Sequence, residues 1–233
     1  MERIIDIHTH ILPCVDDGSD GMARTLDMIK NLASEGVTDI ICTPHYRLDM
    51  FLTPATEDKR VFEQVKKEVE DLGLKVNLYL GQELHDATEM LSQVKSGKAI
   101  TINGTKFVLL ELDWHTKGDY LSVVKDYKAN GYTPILAHYE RFCYYNLDDV
   151  KELKKAGALF QVNAFSFFGV ESEQHKINVL EMLDNGLVDF IASDYHHWKK
   201  PYIKDCYAFI LKKYGVETAR KVFCENALIL LGE

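Results

Sequence analysis

Short, almost continuously apolar runs alternate along the chain with longer segments of helical period. The runs 4–8, 39–43, 76–81, 107–112, 134–138, 159–162 and 188–193 are rich in Ile, Val, Leu and Phe. Strands buried on both faces of a parallel sheet read this way. Between them, apolar residues recur every three to four positions. Met22, Leu26, Ile29 and Ala33 share one face, and Val61, Val65, Val69 and Leu72 another. Tyr120, Val124 and Tyr127, then Val150, Leu153 and Ala156, then Ile177, Leu180 and Leu183 repeat the pattern. Glycine follows each face, at Gly36, Gly73, Gly131, Gly157 and Gly186, where a left-handed C-terminal cap favours it. Two more helices are predicted over Ile203–Tyr214 and 217–230. Seven strands alternating with helices predict a single α/β domain over residues 1–233, built as a closed barrel or an open doubly wound sheet.

Composition narrows the function classes. With 46% hydrophobic and 27% charged residues, the chain can bury a core and is not a disordered segment. No apolar run approaches the roughly 18 residues that span a bilayer. The chain opens Met-Glu-Arg and passes directly into the first strand. No leader and no membrane insertion are therefore expected, and the expected location is cytoplasmic. A net charge of −9 argues against a nucleic-acid partner. The five cysteines form no C-x-x-C pair, so reduced thiols are expected and a thiolate zinc site is not. Neither G-x-G-x-x-G nor G-x-x-x-x-G-K-[ST] is present, which disfavours dinucleotide and P-loop chemistry.

The chemistry lies at the ends of the strands. The first run ends in His8-Thr9-His10, the second leads to His45, the third to Glu83 and the fourth to Glu111. The fifth ends on His138, the seventh leads to Asp194-Tyr195-His196, and the loop after the first adds Asp16-Asp17. In a parallel α/β architecture the C-terminal strand ends form one face, so six strand ends aim imidazole or carboxylate at one place. Taken singly, each residue has a plainer explanation. His45 or His138 would be a hydrogen-bonded interior histidine, and Glu83 or Glu111 a helix cap or ion-pair member. Together they are costly to bury without cations. Imidazole and carboxylate are ligands of zinc, manganese and iron. The nine candidates, His8, His10, His45, Glu83, Glu111, His138, Asp194 and His196 with a carboxylate of the Asp16-Asp17 pair, exceed what one four-coordinate ion takes. Two or three ions with bridging carboxylates fit better, an arrangement suited to phosphate esters.

Asp6-Ile7-His8-Thr9-His10-Ile11-Leu12-Pro13, followed by Val15-Asp16-Asp17-Gly18, resembles the opening of the PHP (polymerase and histidinol phosphatase) superfamily. Within it, the chain resembles the bacterial capsular-polysaccharide type of metal-dependent tyrosine-protein phosphatase. Glu35-Gly36-Val37-Thr38-Asp39-Ile40 leading to Thr43-Pro44-His45 is similar to that family, as are Gly81-Gln82-Glu83 and Ala137-His138-Tyr139-Glu140-Arg141. So are Gln161-Val162-Asn163 and Ala192-Ser193-Asp194-Tyr195-His196. The resemblance implies a distorted seven-stranded (β/α) barrel of TIM-like, PHP type. It implies three divalent ions, manganese first and iron or zinc as alternatives. By position, His8, His10, Glu83 and Asp194 would hold the first ion. Glu83 would bridge to a second completed by Glu111 and His138, and Asp17, His45 and His196 would hold the third. The implied reaction is in-line attack of water on phosphotyrosine, and the implied partner is a bacterial tyrosine kinase of capsular or exopolysaccharide synthesis. The superfamily also contains histidinol-phosphate phosphatases, an alternative activity for the same site. A degenerate metal-binding barrel without turnover is the non-enzyme alternative.

Substrate contacts are less sharply defined. Arg141 matches a family arginine, and its fork suits phosphate; the bland alternative is an ion pair with Glu140 or another carboxylate. The family has a Gly-Arg after the Asp-x-His motif, where this chain reads His197-Trp198-Lys199-Lys200-Pro201. Lys199 and Lys200 would replace that arginine as point charges or form a solvated run. Arg47 would meet substrate or solvent. Cys14 stands where the family has Gly, so a positive φ there would strain or reshape the turn. Tyr139, Phe142, Tyr144 and Tyr145 would wall a phosphotyrosine ring or pack their loop onto the rim. His85, His115, His175 and His197 are expected not to be ligands. A cysteine nucleophile is excluded by spacing, because Cys42 to Arg47 is C-x4-R and the cysteine-dependent phosphatase loop needs one residue more.

Overall fold

The computed structural model describes residues 3–85 and 87–233. Strands and helices alternate as β1 (Ile5–Thr9), α1 (Met22–Ser34), β2 (Asp39–Cys42), β3 (His45–Tyr46), α2 (Ala55–Asp71), β4 (Asn77–Leu80), β5 (Glu83–His85) and α3 (Ala87–Lys95). They continue as β6 (Phe107–Glu111), α4 (Tyr120–Ala129), β7 (Thr133–Leu136), α5 (Leu147–Ala156), β8 (Leu159–Asn163) and α6 (Glu173–Asp184). The last elements are β9 (Phe190–Ala192), α7 (Ile203–Tyr214), α8 (Val216–Phe223) and α9 (Leu228–Leu231).

All seven predicted strands are present, and all pairings between these strands are parallel. The short strands β3 and β5 continue β2 and β4 past two interruptions. β2 halts before Thr43-Pro44, since proline cannot donate to the ladder, and β4 halts at Gly81-Gln82. Gly81 N then donates to Cys42 O and Glu83 N to Pro44 O, so the pair resumes in step. A Cβ on Gly81 would lie 2.6 Å from Ile102 Cδ1, so any larger residue at this bend would make the buried Ile102 side chain shift. The order β1-β2-β4 joins β3-β5-β6-β7-β8-β9 through these kinked strands. The last strand returns to the first: Asp194 N donates to His8 O and His10 N to Tyr195 O, each at 3.0 Å. The ring is therefore a seven-stranded parallel barrel and not an open sheet.

Both strand faces are buried, against different partners. Ile5, Ile7, Ile41, Leu109, Ile135 and Ala192 cluster inside the ring, with Leu230 of α9 joining them. Ile40, Val108, Leu110, Phe160 and Val162 pack outward on Met28, Val65, Val124, Val150 and Val179 of the helices. Three helix predictions need correction. Leu72 caps α2 beyond its last turn and is exposed. Ile177 is also exposed, because α6 turns Asn178, Val179, Met182 and Leu183 inward, and Asn178 Nδ2 donates to Glu140 O. The predicted helix 217–230 breaks at Cys224, which has φ −143° and ψ −70°, into α8, a 3-10 turn and α9. Ile135→Ala, inside the ring, is expected to cost about 2–5 kcal/mol of unfolding free energy, measured by urea titration. A loss below about 1 kcal/mol would show that this cluster is not close-packed.

Candidate metal centre

The nine candidate side chains meet at the C-terminal end of the barrel. His8 and His10 leave the end of β1 with their Nε2 atoms 3.1 Å apart. Glu83, the first residue of β5, is fully buried among four imidazoles. Its Oε2 lies 3.2 Å from His8 Nε2, 3.3 Å from His10 Nε2 and 2.9 Å from His45 Nδ1. Its Oε1 lies 3.0 Å from His138 Nε2. Glu111, ending β6, reaches His138 at 3.7 Å and His45 at 4.0 Å. Asp194 Oδ1 lies 3.5 Å from His10 Nε2 and 3.4 Å from His196 Nδ1. Asp17 Oδ1 lies 3.5 Å from His196 and 3.7 Å from His45. Three overlapping groups are close enough to share an ion: His10, Asp17, His45 and His196; His8, His10 and Asp194; and His45, Glu83 and Glu111.

Charge and hydrogen bonding both fit cations here. Burial alone would push the Glu83 carboxyl up, but the facing His8 and His45 imidazoles hold it well below the usual range. The Asp194 carboxyl behaves likewise, with Lys199, His196 and His8 overcoming burial. Conversely, Glu83 and Asp194 raise His8 to about 10 despite its burial. The carboxylates thus draw positive charge onto this cluster. Short contacts here are not all hydrogen bonds: Glu83 Oε2 and His45 Nδ1, although 2.9 Å apart, are not aligned as donor and acceptor, and with His138 Nδ1 they are buried without a hydrogen-bond partner. Shared divalent ions would satisfy such a donor set. Two candidates also sit in left-handed backbone, His138 at φ 34° and Asp194 at φ 48°, and strain of this kind clusters at functional sites.

A supporting layer fixes the imidazoles, as metal sites require. Asp16, buried and drawn down to about 2 mainly by His10 against its own desolvation, accepts from His10 Nδ1 at 2.8 Å and from His45 N at 2.9 Å. Gln161 Oε1 lies 3.0 Å from His8 Nδ1 and accepts from His138 N. Gln161 Nε2 donates to Asn163 Oδ1, and Asn163 Nδ2 donates to Asp194. The sequence pattern assigns Gln161 and Asn163 no role; polar residues two apart in an apolar strand are the signal that points to them. His85, expected not to be a ligand, instead holds Glu111 Oε2 at 2.8 Å. His197 braces the first loop through Gly18 O at 2.5 Å. Cys14 does take a positive φ, 59°, in a turn closed by Cys14 N donating to Ser19 O.

The cationic candidates separate. Arg141 Nε lies 3.2 Å from Glu171 Oε2, its Nη1 lies 3.9 Å from Asp194, and its guanidinium carbon sits over the Trp114 ring, 4.8 Å from the centroid. Glu140 is not its partner; that buried carboxylate accepts from Asn163 N and Ser166 Oγ. Lys199 Nζ reaches Asp194 Oδ2 at 3.3 Å, whereas Lys200 turns away to Asp205 at 2.6 Å. Arg47 faces Asp49 and lines a cleft of about 970 Å³ with His85 and Trp114. Tyr139 and Phe142 are buried and stacked, and Tyr144 OH donates to Asp113 O, so this cluster packs its loop. The aromatic residues beside the centre are others: Phe51 stacks on His45, and the half-exposed Trp198 lies against His196. Cys42 is fully buried, and burial pushes its thiol far up, which removes it as a nucleophile.

A family model for capsular polysaccharide synthesis, CpsB/CapC, matches residues 4–232. The chain is 32% identical over 240 residues to the tyrosine-protein phosphatase CpsB of Streptococcus agalactiae serotype III, covering 98% of each. It is 28% identical over 233 residues to the tyrosine-protein phosphatase YwqE of Bacillus subtilis, covering 98% of this chain and 91% of that one. The fold superposes with a TM-score of 0.92 and 26% identity on a solved chain, covering 99% and 95% of the two. That chain comes from crystal structures of YwqE from Bacillus subtilis and CpsB from Streptococcus pneumoniae, described as unique metal-dependent tyrosine phosphatases. One glycine tests the loop under this centre, because a Cβ on Gly18 would lie 1.9 Å from His10 O. Gly18→Ala is expected to lower affinity for added divalent ions by about 10–100-fold with an unchanged circular dichroism spectrum. Wild-type affinity, measured by calorimetry, would contradict that placement.

Proposed function

The chain belongs to the CpsB/CapC family of capsular polysaccharide synthesis, and from that premise we propose that it hydrolyses phosphotyrosine in proteins with bound divalent ions. The observation that carries the reading is Glu83, a fully buried carboxylate with imidazole nitrogens of His8, His10, His45 and His138 all within 3.3 Å. Such a cluster is suited to bridging ions rather than to an internal hydrogen-bond network. The proposed allotment gives His8, His10, Glu83 and Asp194 to one ion, Glu83, Glu111 and His138 to a second, and Asp17, His45 and His196 to a third. His10 and His45 lie close enough to a neighbouring group to be shared. Manganese is the proposed ion; iron and zinc suit the same donors, and availability selects among them.

Bound ions would neutralise the phosphate oxygens and activate the attacking water. The chain's own residues do the rest. Arg141 and Lys199, both within 4 Å of Asp194 Oδ2, receive the outer phosphate oxygens. The guanidinium carbon lies over the Trp114 ring, 4.8 Å from its centroid, a cation–π contact that restrains the side chain. Gln161 and Asp16 keep the imidazoles of His8 and His10 in one orientation. Phe51 and Trp198 flank the centre on the His45 and His196 sides, and the tyrosyl ring would lie between them. The proposed natural substrate is a bacterial tyrosine kinase of polysaccharide synthesis, and the proposed location is cytoplasmic. No helix among the described residues is long and apolar enough to cross a membrane.

Phosphate release from a phosphotyrosine peptide and from histidinol phosphate, before and after chelation and manganese return, tests the reading. Manganese-dependent release chiefly from the peptide is expected; release chiefly from histidinol phosphate would move the activity to a small molecule. His138→Ala should reduce peptide turnover by more than about a hundredfold, since partners of ligands alone are worth 10–100-fold. Near wild-type turnover in manganese-replete buffer would remove His138 from the ligand set.

A further inference from the structure

Besides Asp194, Arg141 and Lys199 share a second neighbour that the phosphatase reading does not use. Glu171, in the loop before α6, presents one carboxylate oxygen to each cation. Oε2 lies 3.2 Å from Arg141 Nε and Oε1 lies 3.6 Å from Lys199 Nζ. All three side chains are partly buried, so the charges are only partly screened. The same Oε2 is 3.7 Å from His175 Nδ1. The contact is electrostatic rather than geometrically matched. Arg141 Nε is buried and has no hydrogen-bond partner despite that 3.2 Å approach, whereas a matched carboxylate takes an arginine fork bidentately.

We propose that Glu171 is a built-in substitute for phosphate, occupying the two phosphate-binding cations and displaced by the substrate's phosphoryl group. Two cations face one negative charge from Glu171 where a phosphate monoester would bring nearly two. A tetrahedral dianion also has enough oxygens to meet the fork and the ammonium together. Substrate therefore displaces the carboxylate, and the carboxylate in turn competes with the product. Glu171 sets phosphate affinity, and through it the release of inorganic phosphate. The inference rests on the placement of phosphate at Arg141 and Lys199 argued above.

The test is calorimetric titration of inorganic phosphate into the manganese-loaded full chain. Glu171→Gln keeps the shape and removes the charge, and Glu171→Ala serves as a second removal. Both are expected to bind phosphate about tenfold more tightly at unchanged manganese content. KM for the phosphopeptide should fall and inhibition by phosphate should deepen in parallel. In a Lys199→Met background the gain from Glu171→Gln should shrink, because one of the two cations is already gone. Unchanged or weaker phosphate binding in Glu171→Gln would overturn the proposal and leave Glu171 a positioning residue for Arg141. The activity reading fails separately: tighter phosphate binding in Glu171→Gln without phosphotyrosine hydrolysis by the wild type would uphold this inference and sink that one.

Discussion

The structure is organised around one electrostatic constraint, the compensation of carboxylates buried at the mouth of the barrel. Glu83 has no exposure to solvent, and Asp194 and Glu111 have little. A buried carboxylate without a counter-charge would take up a proton or destabilise the fold. Here the imidazoles surround Glu83 closely enough to keep it ionised. The second ring nitrogens of His8 and His10 are tied back to Gln161 and Asp16, and the backbone N–H groups of His138 and His45 to the same two side chains. The cluster is held from behind by these hydrogen bonds, the kind of support that orients metal ligands.

The barrel makes this arrangement possible. Parallel strands deliver their C-terminal ends to one rim, and the kinks at Thr43-Pro44 and Gly81-Gln82 bring His45 and Glu83 into short strands beside it. The closing backbone bonds between β1 and the segment after β9 place His8, His10 and Asp194 next to one another. The helices and the interior apolar cluster supply the rigidity, and the loops carry the charge.

Much of this was legible in the sequence because it depends on period and position. Apolar runs located the strands, and the polar residues at six strand ends, with Asp17 from the first loop supplied by the resemblance, are the side chains that the fold brings together. What was not legible depends on contacts between residues far apart in the chain. Lys199 and Lys200 are adjacent and chemically alike, yet one faces Asp194 and the other Asp205, a choice made by the path of the loop. The aromatic run Tyr139–Tyr145 suits a ring wall and a packed loop equally in sequence; only the fold shows that it fills its own loop, while Phe51 and Trp198 stand beside the centre. Glu171 carries no local signal at all, and its meaning lies in its two partners. Exposed Ile177 and Leu72 show the same limit for helices, where the last turn and a buried amide rotate the apolar face.

The central claim is that buried carboxylates and imidazoles at this rim exist to hold divalent ions. Anomalous diffraction at the manganese absorption edge, from crystals grown with manganese, tests it most directly. The account predicts peaks within the nine-residue cluster, one of them bonded to Glu83 and another to Asp194. Fully occupied crystals with no peak there, or with peaks only at surface carboxylates, would contradict it.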